Sequence, residues 1–249
     1  GSESRSTKQV LGFYSVQGVE LALQRYGLLD TIRSMGFEAL RLEHDAGDSG
    51  YPTLRIRGRM GIAGPMVLLM ELVVRRKKLP RPASSQLEGN LEVIWIDWLL
   101  LQDPSANFSL ARPPLPGQEH PGLGIAHQVQ ELLVQACRRI NLDGLSNNPA
   151  HYHNALGASR VFYFLEPEDQ GRFKALYTTL KDRDLAEASA LADDKQLCLS
   201  DGTRLGWEPN IQVLPVSKRL QLWVESDAYQ EIAKATQDKL MELGLTIAK

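Results

Sequence analysis

The sequence predicts a mixed α/β protein: a largely antiparallel central sheet flanked by helices, then an α+β extension at the carboxyl end. Three stretches carry that reading. In EALRLEH and TLRIR, apolar and charged residues alternate with the period of two of a half-buried strand, and the turn-rich DAGDSGYP joins them as an antiparallel pair. Leu91 to Leu101, LEVIWIDWLLL, is the most apolar run and reads as a central strand covered on both faces. From Ile125 to Ile140 the apolar residues Ile125, Val129, Leu132, Leu133, Ala136, Cys137 and Ile140 recur at helical spacing.

The elements follow in order. Residues 1–15 read as a loose polar lead-in, with Gly1-Ser2 resembling a cloning remnant. Between Gln17 and Met35, Val19, Ala22, Leu23, Tyr26, Leu29 and Ile32 fit one or two helices interrupted near Gly27, with Gly36 as a C-terminal stop. After the antiparallel pair, Met66 to Val74 is an apolar strand that the basic run Arg75 to Lys78 closes, a device that discourages edge pairing. A Pro-, Ser- and Gly-rich loop leads to the central strand, and a long proline-rich loop, 102–118, leads to Pro121-Gly122-Leu123-Gly124. These glycines either bend the chain into the helix or clear space around its free amides for an anion.

Beyond the main helix, Gly144 to Asn148 reads as a short buried strand. Pro149 to Leu156 reads as a brief helix capped by Asn148, and Arg160 to Leu165 as another strand. The remainder suggests a helical stretch from Glu168 to Leu191 and a hairpin around Ser200-Asp201-Gly202. A strand near Ile211 to Val216 and a terminal helix from Ala228 to Leu243 complete it. The expected division is a lead-in (1–15), a core domain (16–166) and the extension (167–249).

Composition narrows the function. The 249 residues carry 28 Lys and Arg against 30 Asp and Glu, a balance that argues against nucleic acid as a partner. No apolar run has transmembrane length and nothing resembles a signal peptide, so no membrane partner and a cytoplasmic location are expected. The 2 cysteines cannot build a disulfide framework, and Cys137, on an apolar helix face, reads as a small buried hydrophobe. Exposed strand edges make a homodimer a reasonable expectation.

Five histidines are present. His151 and His153 form a His-x-His that suits a metal ion on a strand; on a helix the two side chains point about 200° apart. A metal-dependent enzyme built on this pair is one alternative. No Gly-x-Ser-x-Gly elbow marks a serine nucleophile.

The order of helices, antiparallel strands, glycine turn, helix, strand, helix and strand resembles the GNAT N-acetyltransferase superfamily. The stretch HPGLGIAHQVQELLVQACRRINLDGL is similar to the family's acyl-CoA loop and following helix. NNPAHYHNALGASRVFYF resembles its later Asn–Ala–aromatic–Gly pattern. The likeness covers about 17–165 as topology and about 119–165 as motif. It implies a GNAT-like fold that binds acetyl-CoA or another acyl-CoA through Gly122, Leu123, Gly124, Ile125 and Ala126, with Asn148 as a further contact. It also implies transfer of the acyl group to an amine of a small molecule or protein, with Asp97 as base and Tyr152 or His153 as acid. Glu119 stands where the family carries Gln or Arg, and Tyr152 is one position out of register. An acyl-CoA-binding module without transferase activity is therefore the other alternative.

Overall fold

The computed structural model describes residues 9–45, 51–110 and 112–248. Residues 1–8, which hold most of the expected lead-in, and 46–50, the heart of the DAGDSGYP turn, lie outside the described residues. The chain is mixed α/β, its sheets largely antiparallel and accompanied by helices. It forms two compact units: the described residues of 1–77, 92–109 and 120–142, and those of 78–91, 110–119 and 143–249.

In the first unit, α1 (Val16–Arg25) starts where the Ser15 hydroxyl accepts the Gly18 N–H at 3.1 Å. Gly27, at φ +74°, turns the chain into α2 (Leu28–Ser34), and Gly36, at φ +94°, ends it as expected. Strands β1 (Phe37–Asp45) and β2 (Thr53–Met60) pair antiparallel in a register running from Phe37↔Met60 to Asp45↔Thr53. β3 (Val67–Leu79) pairs antiparallel with β2, and the strand order is β1-β2-β3-β4, with β4 at Leu91–Leu101. The helix α3 (Ala126–Arg139) joins α2 through the Gln128 amide, which donates to the Thr31 hydroxyl at 2.8 Å.

Two strand expectations need correction. The basic run does not close β3: the strand continues through it to Leu79. Arg75 is held by Asp97, Arg76 by Glu92 at 3.3 Å, and the Lys77 ammonium sits 3.4 Å from the centre of the Trp95 ring. Nor is β4 covered throughout. Its first half is buried, but Trp98 and Leu99 are exposed.

The second unit contains β5 (Gly144–Asn147), α4 (Tyr152–Ala158), β6 (Tyr163–Phe164), α5 (Pro167–Leu180) and α6 (Leu185–Asp193). A short hairpin of β7 (Leu197–Cys198) and β8 (Arg204–Leu205) follows, then β9 (Gln212–Pro215), α7 (Lys218–Val224), α8 (Asp227–Glu242) and β10 (Thr246–Ile247). β9 lies between β5 and β6 and is antiparallel to both; β7 sits between β8 and β10. This explains why the chain divides after Leu142, whereas the sequence reading drew its boundary at 166. Residues 143–165 share strands and core with the carboxyl-terminal region, so that region is no appendage.

The core of this unit is aromatic: Tyr152, Phe164, Phe173 and Trp207 pack with ring centroids 5.5–6.4 Å apart. Two hydrogen bonds tie this core to the backbone. Trp207 Nε1–H donates to the Pro149 carbonyl at 3.0 Å, and the Tyr229 hydroxyl donates to the Phe164 carbonyl at 2.6 Å. Asp143, 6% exposed, accepts from Ser217 at 2.8 Å and from the Arg219 guanidinium, which also donates to the carbonyls of Glu88 and Asn90.

Candidate functional site

The turn before α3 is built by strict alternation. Pro121, Leu123 and Ile125 are buried, while Gly122, Gly124 and Ala126 face outward. Apolar anchors therefore fix a backbone whose outer surface carries almost no side chain. Two hydrogen bonds hold it to the end of β4: Asp103 N–H donates to the Pro121 carbonyl at 2.8 Å, and Leu123 N–H to the Leu101 carbonyl at 3.4 Å. Gly124 has φ +79°, a left-handed conformation that delays the helix until Ala126, five residues after Pro121. The expected cofactor-binding residues Gly122, Leu123, Gly124, Ile125 and Ala126 thus form one continuous surface.

That surface has the electrostatics of an anion site. No side chain caps α3, and no acidic residue occupies its first turn, whereas Arg138 and Arg139 occupy the last. The amides of Ala126, His127 and Gln128 are first-turn donors with no partner inside the helix. The helix dipole adds roughly half a positive charge at this end. A Cβ built on Gly122 meets nothing closer than the Leu101 carbonyl oxygen at 3.9 Å, and one on Gly124 meets nothing within 4 Å. Both glycines therefore have open space where a side chain would stand.

Asp97 belongs to the same unit, on β4. Both its oxygens accept from Arg75, Oδ2 from Nε at 2.8 Å and Oδ1 from Nη2 at 3.1 Å. Arg75 also lies over the Tyr51 ring, 4.7 Å from its centre. The hydrogen bonds and charge of Asp97 raise the Arg75 pKa beyond its ordinary value. This carboxylate is engaged in a bidentate ion pair, an arrangement that orients a strand side chain and leaves little capacity to take a proton from a substrate.

The remaining expected residues, Asn148, Tyr152 and His153, lie in the second unit. Asn148 is exposed and caps nothing, which corrects the expected helix start. The cap comes from a distance: Asp193 Oδ1 accepts the Tyr152 N–H at 3.2 Å, while Oδ2 lies 2.9 Å from His151 Nδ1. Pro149 is held outside the helix by its bond to Trp207. Tyr152 is a core residue, 1% exposed, and burial raises the pKa of its phenol. Its hydroxyl is in no position to serve as an acid for a solvent-borne substrate.

His153 is 7% exposed, with Nδ1 3.0 Å from the Ser189 hydroxyl. Burial lowers its pKa, the neighbouring His151 lowers it further, and Asp193 partly opposes both. The two imidazoles are stacked, with centroids 5.4 Å apart and planes 11° from parallel, rather than splayed as helical spacing requires. The reason is that His151 is an extended N-cap residue (φ −124°, ψ 152°), so its ring is not on the helical spiral. Among the described residues no group of three or more His, Cys, Asp or Glu converges as a metal site.

What sequence reasoning passed over is the pairing of His151, expected only as a metal ligand, with Asp193. A carboxylate only accepts, so Nδ1 carries the hydrogen and Nε2 is left as an acceptor, beside Gly117 in the loop of the same unit. A half-exposed imidazole oriented by a carboxylate is chemically able to accept a proton. Its partner lies 42 residues away on α6, and no local motif announces it.

No family model matches the chain, and no curated protein matches it. One solved structure, described as "The crystal structure of KacTA-DNA complex", is 12% identical over 90% of this chain and 96% of that one, with a TM-score of 0.28. At that score the likeness carries no weight for fold or partner. Among the described residues no helix is long and apolar enough to cross a membrane.

Proposed function

We propose that this protein is an acyl-CoA-dependent N-acyltransferase of GNAT-like architecture, transferring an acetyl or other acyl group to an amine. The observation that carries the reading is the amino end of α3. Buried Leu123 and Ile125 fix a turn with outward-facing Gly122 and Gly124, and α3 begins with no side-chain cap and no acid in its first turn, so its backbone N–H groups and dipole are available to an anion. These features fit the pyrophosphate of a coenzyme A thioester. The resemblance of the element order adds support: two helices, four strands, α3, a strand, a helix and a strand. In this reading the chain's part is to bind and orient the thioester at the amino end of α3.

Binding of acyl-CoA without transfer is the second reading. It is favoured by the commitment of Asp97 to Arg75 and by the burial of Tyr152. One experiment separates the two. Thermal unfolding with acetyl-CoA reports binding, and thiol release in the presence of a panel of amines reports transfer. A ligand at 100 times its Kd stabilises by about 2.7 kcal/mol, roughly 5–10 °C for a chain of this size. A shift accompanied by amine-dependent thiol release is the expected result. A shift without release selects the binding module, and no shift with any acyl-CoA removes both readings.

A further inference from the structure

A cavity of about 420 Å³ lies within the first unit, lined by α1, α3, β2, β3 and the segment before α1. Its floor is hydrocarbon: Leu54, Met70, Leu72 and Val74 on the strands are each buried. Its mouth is different, because Tyr26, Arg138 and Arg139 line the same space and are exposed. The cavity also accounts for an oddity of α3. Leu132 and Ala136 sit on its apolar face yet are only half-buried, since the space they face is not filled by protein.

Size and polarity restrict what belongs there. Apolar cavities of about 150 Å³ stay dry and admit small hydrocarbons, and small-molecule sites span roughly 300–1,000 Å³. Water has few partners on such a floor, so the fitting guest is a hydrocarbon chain. The mouth selects its head. Neither Arg138 nor Arg139 has a carboxylate of its own among the described residues. Arg139 and Tyr26 both act electrostatically on the Tyr14 phenol, which places the two tyrosines and a guanidinium together at one opening. The carboxyl end of α3 contributes about half a negative charge, which by itself repels an anion; two full guanidinium charges outweigh it.

We infer that this cavity binds a fatty acid, its hydrocarbon chain against Leu54, Met70, Leu72 and Val74 and its carboxylate on Arg138 and Arg139 at the mouth. The site is separate from the turn before α3, since the 14 residues of the helix put roughly 20 Å between its two ends. The ligand is thus additional to acyl-CoA and does not depend on that reading.

The test is calorimetric titration of the full chain, without acyl-CoA, with octanoate, dodecanoate, hexadecanoate and dodecanol, each below its micelle concentration. Each methylene that enters the floor raises affinity about three- to fourfold, so affinity rises steeply from octanoate until the cavity is full. Dodecanol binds at least tenfold more weakly than dodecanoate, and the double variant Arg138→Ala, Arg139→Ala removes that difference while leaving dodecanol unchanged. Ala136→Phe, which fills the space, weakens every chain. Dodecanoate failing to bind the unaltered protein overturns the inference. Equal affinity for acid and alcohol, or hexadecanoate binding no better than octanoate, does so too. Because acetyl-CoA is not used, none of these outcomes bears on the turn before α3.

Discussion

The two units differ in how their cores are closed. In the second, long-range hydrogen bonds tie the core together, Trp207 on Pro149, Tyr229 on Phe164, Asp143 on Arg219 and Tyr152 N–H on Asp193, although the Gln212 amide, Asn147 Oδ1 and Trp223 Nε1 are buried without a partner among the described residues. In the first, the amides at the start of α3 have no side-chain cap, two arginines at its end have no carboxylate among the described residues, and the apolar face between them borders a cavity. A closed aromatic core is what stability requires. Open donors, open cations and open apolar surface are what ligands require, and they concentrate in the first unit.

That contrast is broken first by truncating matched apolar residues. Trp207→Ala removes a ring packed against Tyr152, Phe164 and Phe173 and leaves the Pro149 carbonyl without its donor, so a loss of about 3–5 kcal/mol is expected in denaturant unfolding. Leu132→Ala, beside the cavity, costs about 1 kcal/mol or less, well below the roughly 2–5 of a packed leucine. Equal losses at the two positions would mean that the first unit is as tightly packed as the second.

Gly171 offers a test by sign. Glycine to alanine inside a helix ordinarily gains about 1 kcal/mol. Here a Cβ would overlap the Ala233 carbonyl oxygen where α5 crosses α8, so Gly171→Ala is expected to lower stability by about 1–3 kcal/mol, read as a drop in the urea midpoint. A gain would show that the two helices separate freely.

Asp193→Ala sharpens the comparison within the second unit. It removes both the cap on Tyr152 N–H and the partner of His151, with an expected cost of about 1–2 kcal/mol. A smaller effect comes from pH. His153 is held below its ordinary pKa of 6.5, chiefly by burial. As pH falls through 6.5 the unfolded chain takes up a proton that the folded chain refuses, so stability is full above that value and declines below it. Urea midpoints between pH 8 and 5 should show that decline, and it should flatten in His153→Gln.

Much of the architecture is legible in the sequence because it is periodic. The β1–β2 pair, the α3 helix and the Gly202 hairpin all follow from local alternation or turn chemistry. What escaped is what distance decides. The boundary at 166 failed because β9, some 65 residues beyond β5, inserts beside it. Asn148 was assigned a cap that Asp193 supplies from another helix. Tyr152 looked like an acid from its place in a motif, but Phe173 and Trp207 enclose it. By contrast the turn at Gly122 to Ala126 was readable, since Pro and Gly act on their own backbone. The cavity was not, because a half-filled apolar face has the same spacing as a filled one.

The most direct measurement is of backbone amide shifts in 15N-labelled protein titrated with acetyl-CoA, beside the variant Gly122→Glu. Gly122 is not in the left-handed region and has room for a side chain, so the variant adds a carboxylate at the turn without straining it. The expected result is saturable shifts at Gly122, Gly124, Ala126, His127 and Gln128, lost in the variant while its unfolding midpoint is kept. Shifts confined to other residues, or unchanged in Gly122→Glu, would contradict the assignment of this turn as the acyl-CoA site.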